Sequence, residues 1–129
     1  MPKRSKHEFL KIINHNGLLL DVGCDNNSSY DIKTYYPNII YYGIDVCDYN
    51  LTKTNLADKT IIVKPEIFAE AIENLPELFD TVISRHNLEH CNDRVRTLDA
   101  IIKVIKKDGY LFLSFPTEKI LIFLIVKEL

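Results

Sequence analysis

A turn that could hold a ligand close to the backbone stands near the start of the chain, in Asp21-Val22-Gly23-Cys24-Asp25. The apolar run 18–22 breaks there at a glycine, and glycine allows a bound molecule to approach the backbone closely. A dinucleotide fingerprint requires the pattern G-x-G-x-x-G, whereas residues 23–28 contain only one of the three glycines. The turn therefore predicts a ligand-binding loop and argues against NAD.

A second acidic residue, Asp45, comes 24 residues after Asp21 and ends another apolar run, 39–44. An acidic side chain at the end of a second strand can accept hydrogen bonds from both hydroxyls of a ribose. A lone aspartate at such a place is usually structural or solvated. Its pairing with the turn at Gly23 favours the ribose-binding interpretation.

The segment His86-Asn87-Leu88-Glu89-His90 matches H-x-x-E-H, in which two helical histidines bind zinc and the glutamate activates water. That chemistry needs both histidines on one helical face together with a third ligand. Here they directly follow a predicted strand, so a zinc hydrolase is kept only as an alternative. His86 is also a candidate general base, because an imidazole with an ordinary pKa of about 6.5 can accept a proton from a hydroxyl or an amine.

Alternating strands and helices are predicted around these residues. The strands are 18–22, 39–45, 61–63, 79–84 and 110–115, and the helices are 6–15, 28–36, 67–74 and a fourth that begins after Asn92 or Asp93 and ends at Asp108-Gly109. This order implies right-handed βαβ units and a parallel sheet that is covered on both faces. Ligands bind such sheets beyond the carboxyl ends of the strands, where Asp21, Asp45 and the residues after 84 are expected to lie.

Composition narrows the classes of function. A length of 129 residues, with 47% hydrophobic and 26% charged residues, predicts a single globular domain over 1–129. The net charge of −2 provides no positive field for phosphates, so no nucleic-acid partner is expected. Three cysteines without a CxxC pair favour reduced thiols and a cytoplasmic location. The longest apolar run, 120–126, is too short to span a bilayer, so no membrane partner is expected.

Four segments in this order resemble class I S-adenosylmethionine-dependent methyltransferases: LLLDVGCD at 18–25, YYGIDV at 41–46, FDTVISRHNLEHC at 79–91 and IIKVIKKDGYLFLSFP at 101–116. They are similar to the glycine turn after strand one, the acidic end of strand two, the fourth strand, and the turn into strand five. The closest likeness is to the type 11 small-molecule methyltransferases with an LEH segment after strand four. The resemblance covers 17–116 and leaves 117–129 as an atypical apolar tail.

This resemblance implies an α/β, Rossmann-like, doubly wound parallel sheet of strand order 3-2-1-4-5. It also implies S-adenosylmethionine as the cofactor and methyl transfer to a small-molecule acceptor. The cofactor-binding residues carried over by position are Asp21, Gly23 and Cys24 on the methionine side, Asp45 at the ribose, Val46 at adenine, and Ser84, Arg85 and His86 at the sulfonium and the substrate opening.

Two features depart from the family. The usual GxG reads Gly23-Cys24-Asp25, which would place the Asp25 carboxylate near that of the cofactor. The chain continues only briefly after strand five, so the C-terminal antiparallel hairpin is expected to be missing, and a truncated, non-catalytic module is the alternative function. The uncharged run 120–126 is expected to be buried as a strand or helix, or to pair with a second copy of the chain.

Overall fold

Strands and helices alternate along most of the chain. The computed structural model describes residues 6–24, 28–46, 55–85, 93–115 and 120–126. In chain order the elements are α1 (Lys6–Ile12), β1 (Leu18–Val22), α2 (Ser28–Tyr35), β2 (Ile40–Asp45), β3 (Lys59–Ile62), a 3-10 turn (Pro65–Ile67), α3 (Phe68–Glu73), β4 (Phe79–Arg85), α4 (Arg94–Lys103), β5 (Ile105–Phe115) and β6 (Ile120–Val126). Among these residues, no helix combines the length and the apolar character needed to cross a membrane.

The strands form one sheet in the order β3-β2-β1-β4-β5-β6. The first five strands in this order are parallel to one another, which confirms the predicted order 3-2-1-4-5. Because these strands are parallel, the carboxyl ends of β1, β2, β4 and β5 all lie at the same edge.

The C-terminal tail corrects one expectation. The antiparallel hairpin was predicted to be missing, whereas β6 pairs antiparallel with β5 from Phe115 opposite Ile120 to Gly109 opposite Val126. The run 120–126 is rich in β-branched and aromatic residues, which favour extended backbone. Pairing with it also gives partners to backbone groups that β5 would otherwise present at an edge.

Two layers of helices cover the sheet, because successive side chains of each strand point to opposite faces. On one face Leu20 and Val82 belong to a buried cluster with residues of α3 and α4, such as Ile72 and Ala100. The cluster on the other face is formed by strand residues Leu19, Ile83 and Phe112 with Phe9 and Leu10 of α1 and Ile32 of α2. The fold is therefore doubly wound, as predicted.

The fourth helix ends earlier than the sequence pattern predicts. Asp93 caps its start by accepting a hydrogen bond from the Arg96 N–H at 3.0 Å, but α4 ends at Lys103 and not at Asp108-Gly109. Val104 already contributes to the strands, because its carbonyl accepts from the Phe79 N–H at 2.7 Å. The Asp108-Gly109 pair instead lies in an irregular part of β5, where Asp108 has a positive φ of 66°.

Candidate cofactor site

The ends of β1, β2 and β4 meet at one place on the sheet edge. In the strand register Val22 lies opposite Ile44 on one side and Ser84 on the other. The Gly23 N–H continues this pairing past the strand, because it donates to the Ile44 carbonyl at 2.8 Å. The predicted residues Gly23, Asp45 and Ser84 therefore lie on neighbouring strand ends, although they are far apart in sequence.

Gly23 makes the turn after β1 possible. Its φ of 80° lies in the left-handed region, where a residue with a Cβ is strained. The chain leaves β1 sharply at this point and α2 begins at Ser28, five residues later. This conformation is the physical reason that the sequence has a glycine here.

Asp45 is a buried carboxylate at the end of β2, with 3% of its surface exposed. Its Oδ1 accepts a hydrogen bond from the Val46 N–H at 2.7 Å, and its carbonyl accepts from the Val63 N–H at 3.0 Å. The second contact ties the end of β2 to Val63, the residue that follows β3. Val46, which follows it, is 41% exposed and offers an apolar surface beside the carboxylate.

Asp21 lies deeper in the sheet than its neighbour Gly23 and has partners that the sequence did not reveal. Its Oδ2 accepts hydrogen bonds from the Ser28 hydroxyl and from the Tyr41 hydroxyl, each at 2.6 Å. Burial raises the pKa of the Tyr41 hydroxyl well above its ordinary range, and the charge and hydrogen bond of Asp21 raise it further. A buried carboxylate needs such donors, so this group ties β1, β2 and α2 together.

Cys24 is buried beneath the turn and packs against the backbone of β2. A Cβ added to Gly43 would lie 2.7 Å from the Cys24 Sγ, which shows how closely the two residues approach. Cys24 belongs to the same buried cluster as Phe9 and Ile32. Its side chain thus fills space between the sheet and the helices, and its backbone is the part that continues the turn.

Buried hydroxyls mark the ends of the two strands on the other side of β1. Ser84 is 1% exposed and Ser114 is 4% exposed, and neither Oγ has a hydrogen-bond partner within the described part of the chain. Ser114 lies opposite Arg85 in the strand register. A hydroxyl that is buried without a partner carries a cost, and it is a group that a bound molecule can satisfy.

The family comparison explains this arrangement. The sequence profile of a methyltransferase domain matches residues 20–113, from β1 to the last part of β5. The chain belongs to this methyltransferase family. The predicted resemblance to class I S-adenosylmethionine-dependent methyltransferases is thereby confirmed. A separate comparison with curated proteins finds no match.

Solved structures of other methyltransferases share the fold of this methyltransferase domain. Coclaurine N-methyltransferase bound to N-methylheliamine and SAH is 20% identical, with a TM-score of 0.63 over 80% of this chain and 32% of that chain. A chain of the Haloferax volcanii complex between the Trm112 methyltransferase activator and a putative methyltransferase is 16% identical, with a TM-score of 0.65 over 84% and 50%. The sugar N-methyltransferase KedS8 from Streptoalloteichus is 16% identical, with a TM-score of 0.59 over 77% and 40%. This chain spans between about a third and a half of their lengths.

The remaining sequence-predicted site residues fall outside the described residues or are described only in part. His86 lies outside them, as do Asp25 and the Glu89 and His90 of the zinc alternative. Arg85 is placed as the last residue of β4. Within 6–24, 28–46, 55–85 and 93–115, no three metal-binding side chains come together. The site roles of all eight residues carried over from the family stay predictions.

Sequence reasoning missed Tyr41, Ser28 and Gly43 of this methyltransferase domain as parts of the site's framework. Tyr41 is a core residue with 1% of its surface exposed, and its hydroxyl donates to Asp21. A buried tyrosine hydroxyl usually finds a partner, but nothing in the sequence identifies Asp21 as that partner. Gly43 is the third residue from the end of β2, and the GID pattern there gives no hint of the contact with Cys24.

Proposed function

We propose that this methyltransferase domain binds S-adenosylmethionine at the carboxyl ends of β1, β2 and β4 and transfers its methyl group to a small-molecule acceptor. One observation carries the proposal: the left-handed Gly23 turn, the buried Asp45 and the hydroxyl of Ser84 lie on adjacent strand ends. Solved neighbours of the same fold were crystallised with SAH, which supports this choice of cofactor.

The residues present fit such a ligand. The Gly23 turn has no Cβ, so the backbone is open to close approach. Asp45 places a carboxylate where two ribose hydroxyls could donate to it, and the exposed Val46 offers an apolar contact for adenine. The Ser84 Oγ, which lacks a partner in the described part of the chain, could hydrogen-bond to a polar group of the ligand.

The proposed chemistry needs little from the protein beyond position. S-adenosylmethionine supplies an electrophilic methyl group on a sulfonium. The strand ends of this chain would hold the ligand in one orientation, so that an acceptor bound on the Ser84 and Arg85 side reaches the methyl carbon from the face opposite the sulfur. The bond to the acceptor forms as the methyl C–S bond breaks, and S-adenosylhomocysteine is the leaving group. Positioning and exclusion of water are sufficient for displacement at such a carbon. His86, which directly follows β4, is the proposed base for an acceptor that must lose a proton.

The acceptor class is proposed from two kinds of support. The net charge of −2 is unfavourable for a nucleic-acid substrate. Two of the solved neighbours are an N-methyltransferase bound to N-methylheliamine and a sugar N-methyltransferase. An amine on a small metabolite or on a sugar is therefore the first acceptor to screen.

Calorimetric titration with S-adenosylmethionine, followed by transfer assays with radiolabelled methyl groups, tests the proposal. Asp45→Ala should weaken binding about tenfold or more, because two hydroxyls of the ribose lose their acceptor. Asp99→Ala removes an exposed carboxylate from α4 and should leave binding unchanged. Equal affinities of the Asp45→Ala variant and the wild type would refute the assigned ribose site.

The titration, the transfer assays and a metal analysis of the purified protein together separate the two alternatives. Saturable binding without transfer to any amine or hydroxyl acceptor would favour a non-catalytic methyltransferase-like module. Stoichiometric zinc in the purified protein, lost in His90→Ala, would favour the zinc hydrolase. Binding together with transfer would support the proposal against both.

A further inference from the structure

We propose that Tyr41 and Ser28 are positioning residues that hold the Gly23 turn in its ligand-binding shape through the buried carboxylate of Asp21. This inference rests on the proposed function for its consequence, since the turn is taken to contact the cofactor. Its structural basis lies in three side chains that belong to β1, β2 and α2.

The first contact closes the turn on itself. Asp21 precedes the turn and Ser28 follows it, and the Ser28 Oγ donates to the Asp21 Oδ2 at 2.6 Å. The hydrogen bond therefore joins the two ends of a loop that contains Gly23 and Cys24. Both ends are buried, with 3% of Asp21 and 7% of Ser28 exposed. A short hydrogen bond between buried groups limits how far Asp21 and Ser28 can move apart.

The second contact attaches the closed turn to β2. The Tyr41 hydroxyl donates to the same Asp21 Oδ2 at 2.6 Å. Tyr41 is 1% exposed, so its ring has little freedom to move, and its backbone N–H is held by Asp58 Oδ2 at 2.8 Å. The rigid tyrosine thus fixes Asp21 from the side of β2, the strand that also carries Asp45.

The two hydrogen bonds that Asp21 accepts from Ser28 and Tyr41, together called the clasp, have a reason in the sequence. Residues 23–28 contain one glycine, so only Gly23 has the backbone freedom of a residue without a Cβ. The Gly23 N–H donates to the Ile44 carbonyl at 2.8 Å, which holds one point of the turn. The hydrogen bonds of Asp21 supply fixed points at both ends.

The neighbouring residue Tyr42 provides a matched control. It lies one position along β2 and therefore faces the other side of the sheet, where its hydroxyl donates to Glu77 Oε2 at 3.2 Å. Tyr41→Phe and Tyr42→Phe each remove one hydroxyl from the same strand. Only the first removes a contact to the turn.

Two ligands separate positioning of the turn from a general loss of structure. S-adenosylhomocysteine carries an amino-acid end, which the turn is proposed to hold, whereas 5′-methylthioadenosine lacks that end. Tyr41→Phe should weaken S-adenosylhomocysteine binding about tenfold, as expected for a lost hydrogen bond to a charged group, and 5′-methylthioadenosine binding less than threefold. Ser28→Ala should show the same split, and Tyr42→Phe should change neither affinity. Equal losses for both ligands, or no loss for either, would overturn the inference.

Amide hydrogen exchange tests the clasp without any ligand. The Gly23 amide should exchange at least several times faster in Tyr41→Phe than in Tyr42→Phe, while the Val63 amide, bound to the Asp45 carbonyl, should exchange equally in both. Unchanged Gly23 exchange would refute the clasp. If the wild type binds neither ligand, the proposed function fails, and the exchange result alone then decides whether the clasp exists.

Discussion

A methyl group added at Gly43 tests the close packing beneath the site. In Gly43→Ala the new Cβ would lie 2.7 Å from the Cys24 Sγ and 2.9 Å from the Cys24 Cβ. Rotation of the buried cysteine side chain can relieve only part of the first contact and none of the second, because the Cβ does not move with χ1. The backbone at Cys24 or at residue 43 must therefore shift, and we expect Cys24 to yield because residue 43 is held in β2 between two paired strands.

The expected cost follows from overpacking of a buried contact, which is about 1–3 kcal/mol. For a chain of this size, each kcal/mol should lower Tm by about 3–5 °C. The shift next to Gly23 should also weaken S-adenosylmethionine binding to the folded protein, beyond any loss that comes from a smaller folded fraction. Urea unfolding with a constant m-value measures the first effect, and calorimetric titration of the folded variant measures the second.

A double variant shows whether Cys24 is the source of the cost. Cys24→Ala in the Gly43→Ala background removes the sulfur at 2.7 Å and leaves the Cβ at 2.9 Å. It should therefore restore part of the lost stability, whereas Cys24→Ala alone should destabilise the wild type by leaving a small cavity. The reasoning is refuted if the free energy of unfolding of Gly43→Ala lies within about 0.5 kcal/mol of that of the wild type. It is also refuted if the effects of the two substitutions on this free energy are simply additive.

Three further predictions concern other parts of the chain. Gly23→Ala should cost about 1–2 kcal/mol because of the φ of 80°, and a urea midpoint equal to that of the wild type would contradict this strain. Burial acts to raise the pKa of Asp58, but hydrogen bonds from the Tyr41 N–H and Lys33 outweigh it and the net shift is downward. The ionised carboxylate therefore stabilises the fold above the ordinary aspartate pKa of about 4, and this contribution disappears as the pH falls through the lower folded value. Urea midpoints at pH 6 and pH 3 should differ less in Asp58→Asn than in the wild type, and equal differences would exclude the effect. Finally, an uncharged edge strand at 120–126 should promote self-association that Ile122→Lys reduces, and a wild type that sediments as a monomer at all concentrations would argue against it.

The fold could be predicted from local patterns because the elements are short and bounded by strong signals. Gly17 and Gly23 flank β1, whose predicted bounds 18–22 agree with the structure. The end of α4 was predicted wrongly because an Asp-Gly pair can either end a helix or interrupt a strand. The pairing of Ile105 with Phe79 shows that the strand has already begun before Asp108-Gly109. Such pairing is a property of the tertiary structure.

The site could be predicted only as far as its positions along the strands. Gly23 and Asp45 follow apolar runs, so topology alone places them at one edge. The contact of Tyr41 with Asp21 joins residues that are 20 apart and depends on strand register, and the contact of Gly43 with Cys24 depends on the path of the turn. Neither could be inferred from residue type and spacing. The prediction for the tail failed in part because the edge of β5 offers 120–126 a partner.

A crystal structure of the chain with S-adenosylhomocysteine tests the central claim most directly. The account predicts the ligand across the ends of β1, β2 and β4, with both ribose hydroxyls on the Asp45 carboxylate and the amino-acid end beside Gly23. A ligand bound elsewhere, or one whose ribose does not contact Asp45, would contradict it.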